Sequence, residues 1–112
     1  MKNIEISEFK EMLEDRDSLE IIDVREKSEY DIIHITDSKL IPMSEIMSKI
    51  DEINWDKKVV FICRSGARSG MIANLLSGQN KETINLKGGL FDCYKNGECQ
   101  LEILKEQIGR YF

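Results

Sequence analysis

Short apolar runs alternate along the chain with stretches of helical spacing. Ile4 to Ile6 reads as a short strand, and Ser7 stands where a helix N-cap is expected, followed by the apolar stripe Phe9, Met12 and Leu13. Lys10 occupies the position where a capping box would place Glu or Gln. Leu19 to Asp23 predicts a second strand, which Val24-Arg25-Glu26 leaves for a turn and a short helix reaching Tyr30. Leu40-Ile41 predicts a third strand, stopped by Pro42. Ser44 then caps a helix with Ile46, Met47, Ile50 and Ile53 on one side and an end near Asn54. Lys58 to Ile62 centres on four consecutive apolar residues, as expected of a strand covered on both faces. A helix over Arg68 to Leu76 ends at Ser77-Gly78, a fifth strand covers Thr83 to Leu86, and Gly88-Gly89 turns into a helix over Leu90 to Asn96. Leu101, Leu104, Ile108, Tyr111 and Phe112 share helical spacing, which predicts a C-terminal helix over about residues 101–112 packed on the domain. Strands alternating with helices imply an α/β fold: a parallel sheet with helices on both faces and ligands beyond the carboxyl ends of its strands.

Composition narrows the class. The 112 residues suffice for one domain, 1–112, that buries a core without staples. A hydrophobic share of 41% and a charged share of 33% are those of a globular protein, and no apolar run approaches the roughly 20 residues that span a bilayer, so no membrane partner is expected. The opening MKNIEISEFKEML has no continuous apolar stretch ahead of small residues. It does not read as a secretory signal, and a cytoplasmic location is the expectation. Cys63, Cys93 and Cys99 are odd in number and form no CxxC pair, which fits a reducing compartment. His34 is the only histidine and has no Cys or carboxylate cluster beside it, so a structural hydrogen bond is expected of it, with no metal and no cofactor. A formal net charge of -5 argues against a nucleic-acid partner.

The chemistry concentrates in VVFICRSGARS, Val59 to Ser69. A buried strand ends in Cys63, and small or basic residues follow it up to the start of a helix. A short loop curling around a sulfur, with a helix N-terminus behind it, aims several N–H donors and a positive dipole end at one point, which favours a thiolate. Gly66 allows a backbone conformation that a side chain would obstruct, and small Ser65 and Ala67 let the N–H groups crowd the centre. Ser69 is placed to cap the helix or turn its hydroxyl inward. Arg64 and Arg68 suit a small anionic substrate at the rim. The alternative is a structural cysteine packed as a small hydrophobe, but such a run of small and basic residues is a poor choice for a core.

These residues resemble the single-domain rhodaneses, the thiosulfate sulfurtransferase-like proteins. Four ordered blocks carry the likeness: IIDVREKSEY (Ile21 to Tyr30), HITDSKLIP (His34 to Pro42), VVFICRSGARS and NLKGGL (Asn85 to Leu90). The resemblance implies a rhodanese-like α/β fold with a central parallel sheet, here of five strands. It implies a catalytic Cys63 that takes a sulfane sulfur from thiosulfate or a persulfide donor and passes it to cyanide, a thiol or a protein cysteine. By the same resemblance, Arg64, Ser65, Gly66, Ala67, Arg68 and Ser69 form the substrate-binding cradle, and Asp23 and Arg25 support the loop from the neighbouring strand end. His34 falls in the matching His-Ile block. Asp23 and Arg25 read equally well as an ion pair or a turn cap.

The chain departs from the family pattern at Thr36-Asp37-Ser38, where Pro-Gly-Ala is usual, and at Cys93, where Trp often stands. Cys93 reads as a core residue of its helix and Cys99 as a surface or loop thiol; a role in resolving a Cys63 persulfide would require them to lie beside it. Three other readings compete with the enzyme: a sulfur carrier serving a partner protein, a non-catalytic binding module, and a phosphatase or arsenate reductase. Inactive relatives typically lack the cysteine. Related phosphatases place five residues between Cys and Arg, whereas four separate Cys63 from Arg68.

Overall fold

Lys58–Ile62 (β5) and Leu19–Asp23 (β2) run side by side in parallel register, Ile21 opposite Val60 and Asp23 opposite Ile62. The computed structural model describes residues 1–96, 99–105 and 108–112. Around this central pair lie Lys2–Ile4 (β1), Lys39–Leu40 (β4) and Ile84–Leu86 (β6), completing a parallel five-stranded sheet in the order β1-β6-β5-β2-β4. All five predicted strands enter it.

Side-chain alternation along β2 and β5 divides the interior into two cores. Leu19, Ile21, Val60 and Ile62 face one side, where Phe9 and Leu13 of Ile6–Leu13 (α1) and Leu90 and Cys93 of Gly89–Asn96 (α4) cover them. Ile22, Val59 and Phe61 face the other, under Ile72, Ala73 and Leu76 of Ala67–Ser77 (α3) and Ile46 of the 3-10 segment Met43–Glu52. A sheet covered twice needs apolar residues at consecutive positions, which is the pattern Lys58 to Ile62 displays.

Several boundaries differ from the sequence expectation. The first strand stops at Ile4 and α1 starts at Ile6, with extended Glu5 as its N-cap and Ser7 exposed on the helix surface. That start aligns Ile6, Phe9 and Leu13 toward one core, and their burial outweighs what a serine cap would add. Ser44 caps nothing: Pro42 precedes the segment, which is 3-10 and breaks at Lys49 (φ -118°, ψ 15°). Three residues per turn rotate Met47 out of the expected stripe, leaving it 48% exposed while Ile46 is buried.

The predicted helix over 101–112 is corrected. Leu101–Ile103 (β7) pairs antiparallel with Ile33–Ile35 (β3), a strand the sequence reading missed, and among the described residues of this stretch only Ile108–Tyr111 (α5) is helical. The two three-residue strands are about 70 residues apart in sequence and define each other by pairing, so neither carries a local signal of its own. Cys99 is buried and bonded to Cys93 in a disulfide, with 5.7 Å between their Cα atoms, rather than being a surface thiol. Among the described residues no helix is long and apolar enough to cross a membrane.

Phe9 is fully buried where α1 meets β2 and α4. Phe9→Ala is expected to lower the unfolding free energy by about 3–5 kcal/mol in a urea titration; a loss below about 1 kcal/mol would mean that α1 is not docked as described.

Candidate active site

Cys63 continues the alternation of Val59 and Phe61 one step beyond the end of β5, so its side chain enters the α3 face and is 1% exposed. The chain then turns sharply. Its carbonyls are drawn away from the sulfur by the first turn of α4: Leu90 N–H donates to Cys63 O at 3.0 Å and Phe91 N–H to Arg64 O at 2.9 Å. With those oxygens held on the far side, amide donors gather at Sγ. Gly66 N–H lies 3.1 Å from it and Ser69 N–H, in the first turn of α3, 3.4 Å. Oriented amides and the positive end of an eleven-residue helix converge on one sulfur, an arrangement that stabilises negative charge there.

Two glycines make the packing feasible. Gly66 has φ +93°, and a Cβ on it would lie 3.0 Å from Leu86 O. Gly89 has φ +56°, and a Cβ there would come within 2.5 Å of Cys63 O, blocking the approach of α4 to the loop.

Ser69 Oγ lies 3.4 Å from Sγ and 2.6 Å from Asn85 Oδ1. A hydroxyl has one proton, so Ser69 donates to the sulfur only by releasing Asn85. Asn85, on β6 and buried, also donates from Nδ2 to Gly66 O (3.2 Å) and to Asn3 Oδ1 (3.0 Å), tying the loop to β1. The sequence reading did not single out Asn85. Its signal was a polar residue inside an otherwise apolar strand, within the NLKGGL block.

The expected cradle is brought together only in part. Gly66 and Ser69 contact the sulfur. Ser65 and Ala67 are exposed on the outside of the turn. Arg68 turns to Glu29 of Lys27–Tyr30 (α2), with Nη1 3.0 Å from Oε2 and Nη2 3.2 Å from Oε1, and this hydrogen-bonded carboxylate holds its pKa above the ordinary arginine value. Arg68 lies in the first turn of α3, next to Ser69, whose N–H faces Sγ. Arg64 donates from Nε to Tyr111 O (3.0 Å) and from Nη2 to Phe112 O (3.3 Å) and lies over both rings. Both guanidiniums expected at the rim are engaged with internal acceptors. Glu29, Tyr111 and Phe112, which the sequence reading left out of the site, supply them.

Asp23 and Arg25 form a fully buried ion pair, with Nη2 to Oδ2 at 2.8 Å and Nε to Oδ1 at 2.9 Å. Arg25 also donates to Ile33 O (2.6 Å), Glu29 O (3.3 Å) and Tyr111 Oη (3.1 Å). Burial opposes its charge, but Asp23 and Tyr111 outweigh that and raise its pKa. Burial likewise raises the Tyr111 pKa, so the phenol stays neutral and accepts from Arg25. The side-chain contacts of the pair lead to α2 through Glu29 O and to Tyr111, and among the described residues no hydrogen bond runs from it to Cys63. His34 is structural, its Nδ1 2.9 Å from Tyr30 O and its ring stacked on Tyr30 at 3.9 Å. Cys93 and Cys99 bond each other within the core on the opposite sheet face from Cys63 and are not placed to resolve a persulfide there. Among the described residues no group of three or more His, Cys, Asp or Glu could hold a metal ion. A cleft of about 970 Å³ lies at the other end of the sheet, lined by Lys2, Trp55, Lys58, Lys81 and Ile84.

Residues 5–96 match the Rhodanese-like domain family. The chain belongs to that family. "Putative sulfurtransferase YtwF" of Bacillus subtilis is 38% identical over 90 residues, covering 80% of this chain and 87% of that protein. "Putative sulfur carrier protein YrkF" of the same organism is 37% identical over 90 residues; this rhodanese-like chain spans only about half of its length (49%). The crystal structure of a rhodanese-like domain protein from Staphylococcus aureus superimposes with a TM-score of 0.78 at 30% identity, covering 94% of this chain and all of that one. The fold and family expected from the four sequence blocks are thus confirmed.

Gly66→Ala forces a side chain into left-handed backbone against Leu86 O and displaces the closest donor to Sγ. A hydrogen bond to a charged group contributes about 1.5–3 kcal/mol, so alkylation of Cys63 by iodoacetamide at neutral pH is expected to slow at least about tenfold. An unchanged rate would mean that the Gly66 amide does not act on the sulfur.

Proposed function

We propose that this protein is a sulfurtransferase in which Cys63 carries sulfane sulfur as a persulfide between two half-reactions. The observation that carries this reading is the sulfur of Cys63 beneath the Gly66 and Ser69 amides, with no titratable side chain bonded to it among the described residues. Such a site accepts a second sulfur: the terminal atom of a persulfide bears the negative charge and extends toward the same N–H groups. Relatives named for sulfur transfer and sulfur carriage support the assignment.

In the first half-reaction the Cys63 thiolate attacks the outer sulfur of thiosulfate or of a persulfide donor, and sulfite or a thiol departs with the electron pair of the broken S–S bond. In the second, cyanide, a thiol or a protein cysteine attacks the terminal sulfur and Cys63 returns as thiolate. Gly66 and Ser69 hold the charge, and Asn85 holds Gly66 and Ser69. A carrier that receives its sulfur from a partner protein is the second reading, favoured by the relative named as a sulfur carrier; the two differ in which donor loads Cys63.

Intact-protein mass spectrometry after incubation with thiosulfate, and separately with cysteine persulfide, tests the intermediate. Wild type should gain about 32 Da that reductant removes, and Cys63→Ser should gain nothing. Loading only by the persulfide selects the carrier-type donor, and loading by neither rejects the persulfide mechanism.

A further inference from the structure

Each of the three arginines around the Cys63 loop is already matched to an internal acceptor: Arg25 to Asp23, Arg64 to the main-chain oxygens of Tyr111 and Phe112, Arg68 to Glu29. The Arg68–Glu29 pair is part-exposed, at 34% and 23% of the two side chains, and Arg68 stands in the first turn of α3 next to Ser69, whose N–H lies 3.4 Å from Cys63 Sγ. Glu29 is fixed in place. It lies in the first turn of α2, and its Oε2 also accepts the Glu26 N–H at 3.2 Å. Two parallel N–H···O bonds from a guanidinium satisfy a carboxylate well, so Arg68 offers an incoming anion little that it has not already given to Glu29.

Thiosulfate is a dianion and needs a cation to receive it and to receive the sulfite it releases. To use Arg68 it must displace Glu29, and it then sits beside the freed carboxylate, where like charges repel. An organic persulfide, R–S–SH, brings less charge to the same place. We propose that Glu29 is a specificity-determining residue which, by neutralising Arg68, turns Cys63 away from thiosulfate and toward organic persulfide donors. The inference rests on the sulfur-transfer reading above and narrows its donor.

The step balances without an added oxidant or reductant. The Cys63 thiolate attacks the terminal sulfur of R–S–SH and a new S–S bond forms. The bond between the two donor sulfurs breaks, and its electron pair goes to the inner sulfur. That sulfur takes up the terminal proton and leaves as neutral R–SH, while Cys63 keeps the persulfide anion. With thiosulfate the same attack would expel a sulfite dianion next to Glu29.

The test compares kcat/KM for cysteine persulfide and for thiosulfate in wild type, Glu29→Gln and Glu29→Gln/Arg68→Ala, with Cys63 loading followed by mass and folding checked by circular dichroism. Wild type should prefer the persulfide. In Glu29→Gln the ratio of the two specificities should fall about tenfold, chiefly through a lower KM for thiosulfate, and in the double variant that gain should vanish because it requires a freed Arg68. A wild type that prefers thiosulfate overturns the proposal, and this result needs no variant to fold. An unchanged ratio in folded Glu29→Gln, or a gain that survives removal of Arg68, overturns it as well. Absence of any mass gain on wild-type Cys63 from either donor would overturn the sulfur-transfer reading itself, and so is distinguishable from failure of the Glu29 argument alone.

Discussion

The site depends on where the carbonyl oxygens of Cys63 and Arg64 go. A tight turn around a sulfur exposes as many acceptors as donors, and acceptors aimed at the centre would repel a thiolate or a persulfide. Leu90 and Phe91, in the first turn of α4, bind those two oxygens with N–H groups that have no partner inside their own helix. The loop amides of Gly66 and Ser69 are thereby left to face Sγ. One helix N-terminus satisfies the back of the loop and another, that of α3, completes its front. The close fit of Gly89 against Cys63 O follows from this, because α4 can donate only if its first turn lies against the loop.

The two-sided sheet sets the boundary conditions for that arrangement. Because β5 alternates between two cores, a residue one step beyond its end inherits a fixed side, and Cys63 falls on the α3 side with Phe61 and Ile72. Cys93 and Cys99 fall on the other. Their disulfide ties α4 to the chain leading into β7, which pairs with β3, and so secures the region where α4 caps the loop. Free thiol and disulfide are kept apart by the sheet itself.

Charge around the loop is arranged with similar economy. Asp23–Arg25 is fully buried, and removal of either partner would leave an uncompensated charge in an apolar setting. Its spare donors hold α2 through Glu29 O and α5 through the Tyr111 hydroxyl. Arg64 uses the main-chain oxygens and rings of Tyr111 and Phe112, while Phe112 stacks on Phe91 and Tyr94 of α4. The last residues of the chain are thus packed onto the elements that shape the cysteine loop, and basic residues that look free in the sequence are engaged in the fold.

Local sequence determined what depends on neighbours in the chain. Four consecutive apolar residues fix a strand covered twice at Val59 to Ile62. The alternation of strands and helices fixes a parallel sheet, and a cysteine at a strand end followed by Arg-Ser-Gly-Ala and a helix fixes an amide cradle, with Gly66 at its required left-handed position. Tertiary structure decided whatever depends on residues far apart. Arg68 meets Glu29 across 39 positions and Arg64 meets Tyr111 across 47, and β3 exists only because β7 pairs with it. A charge shows its sign in the sequence but not its partner. Strands of three residues have too little local preference to form without one, and a C-terminal stripe of apolar spacing folds as strand or helix according to which surface receives it. The cysteine loop was legible because its requirements are local, while the partners of its arginines come from contacts that only the folded chain creates.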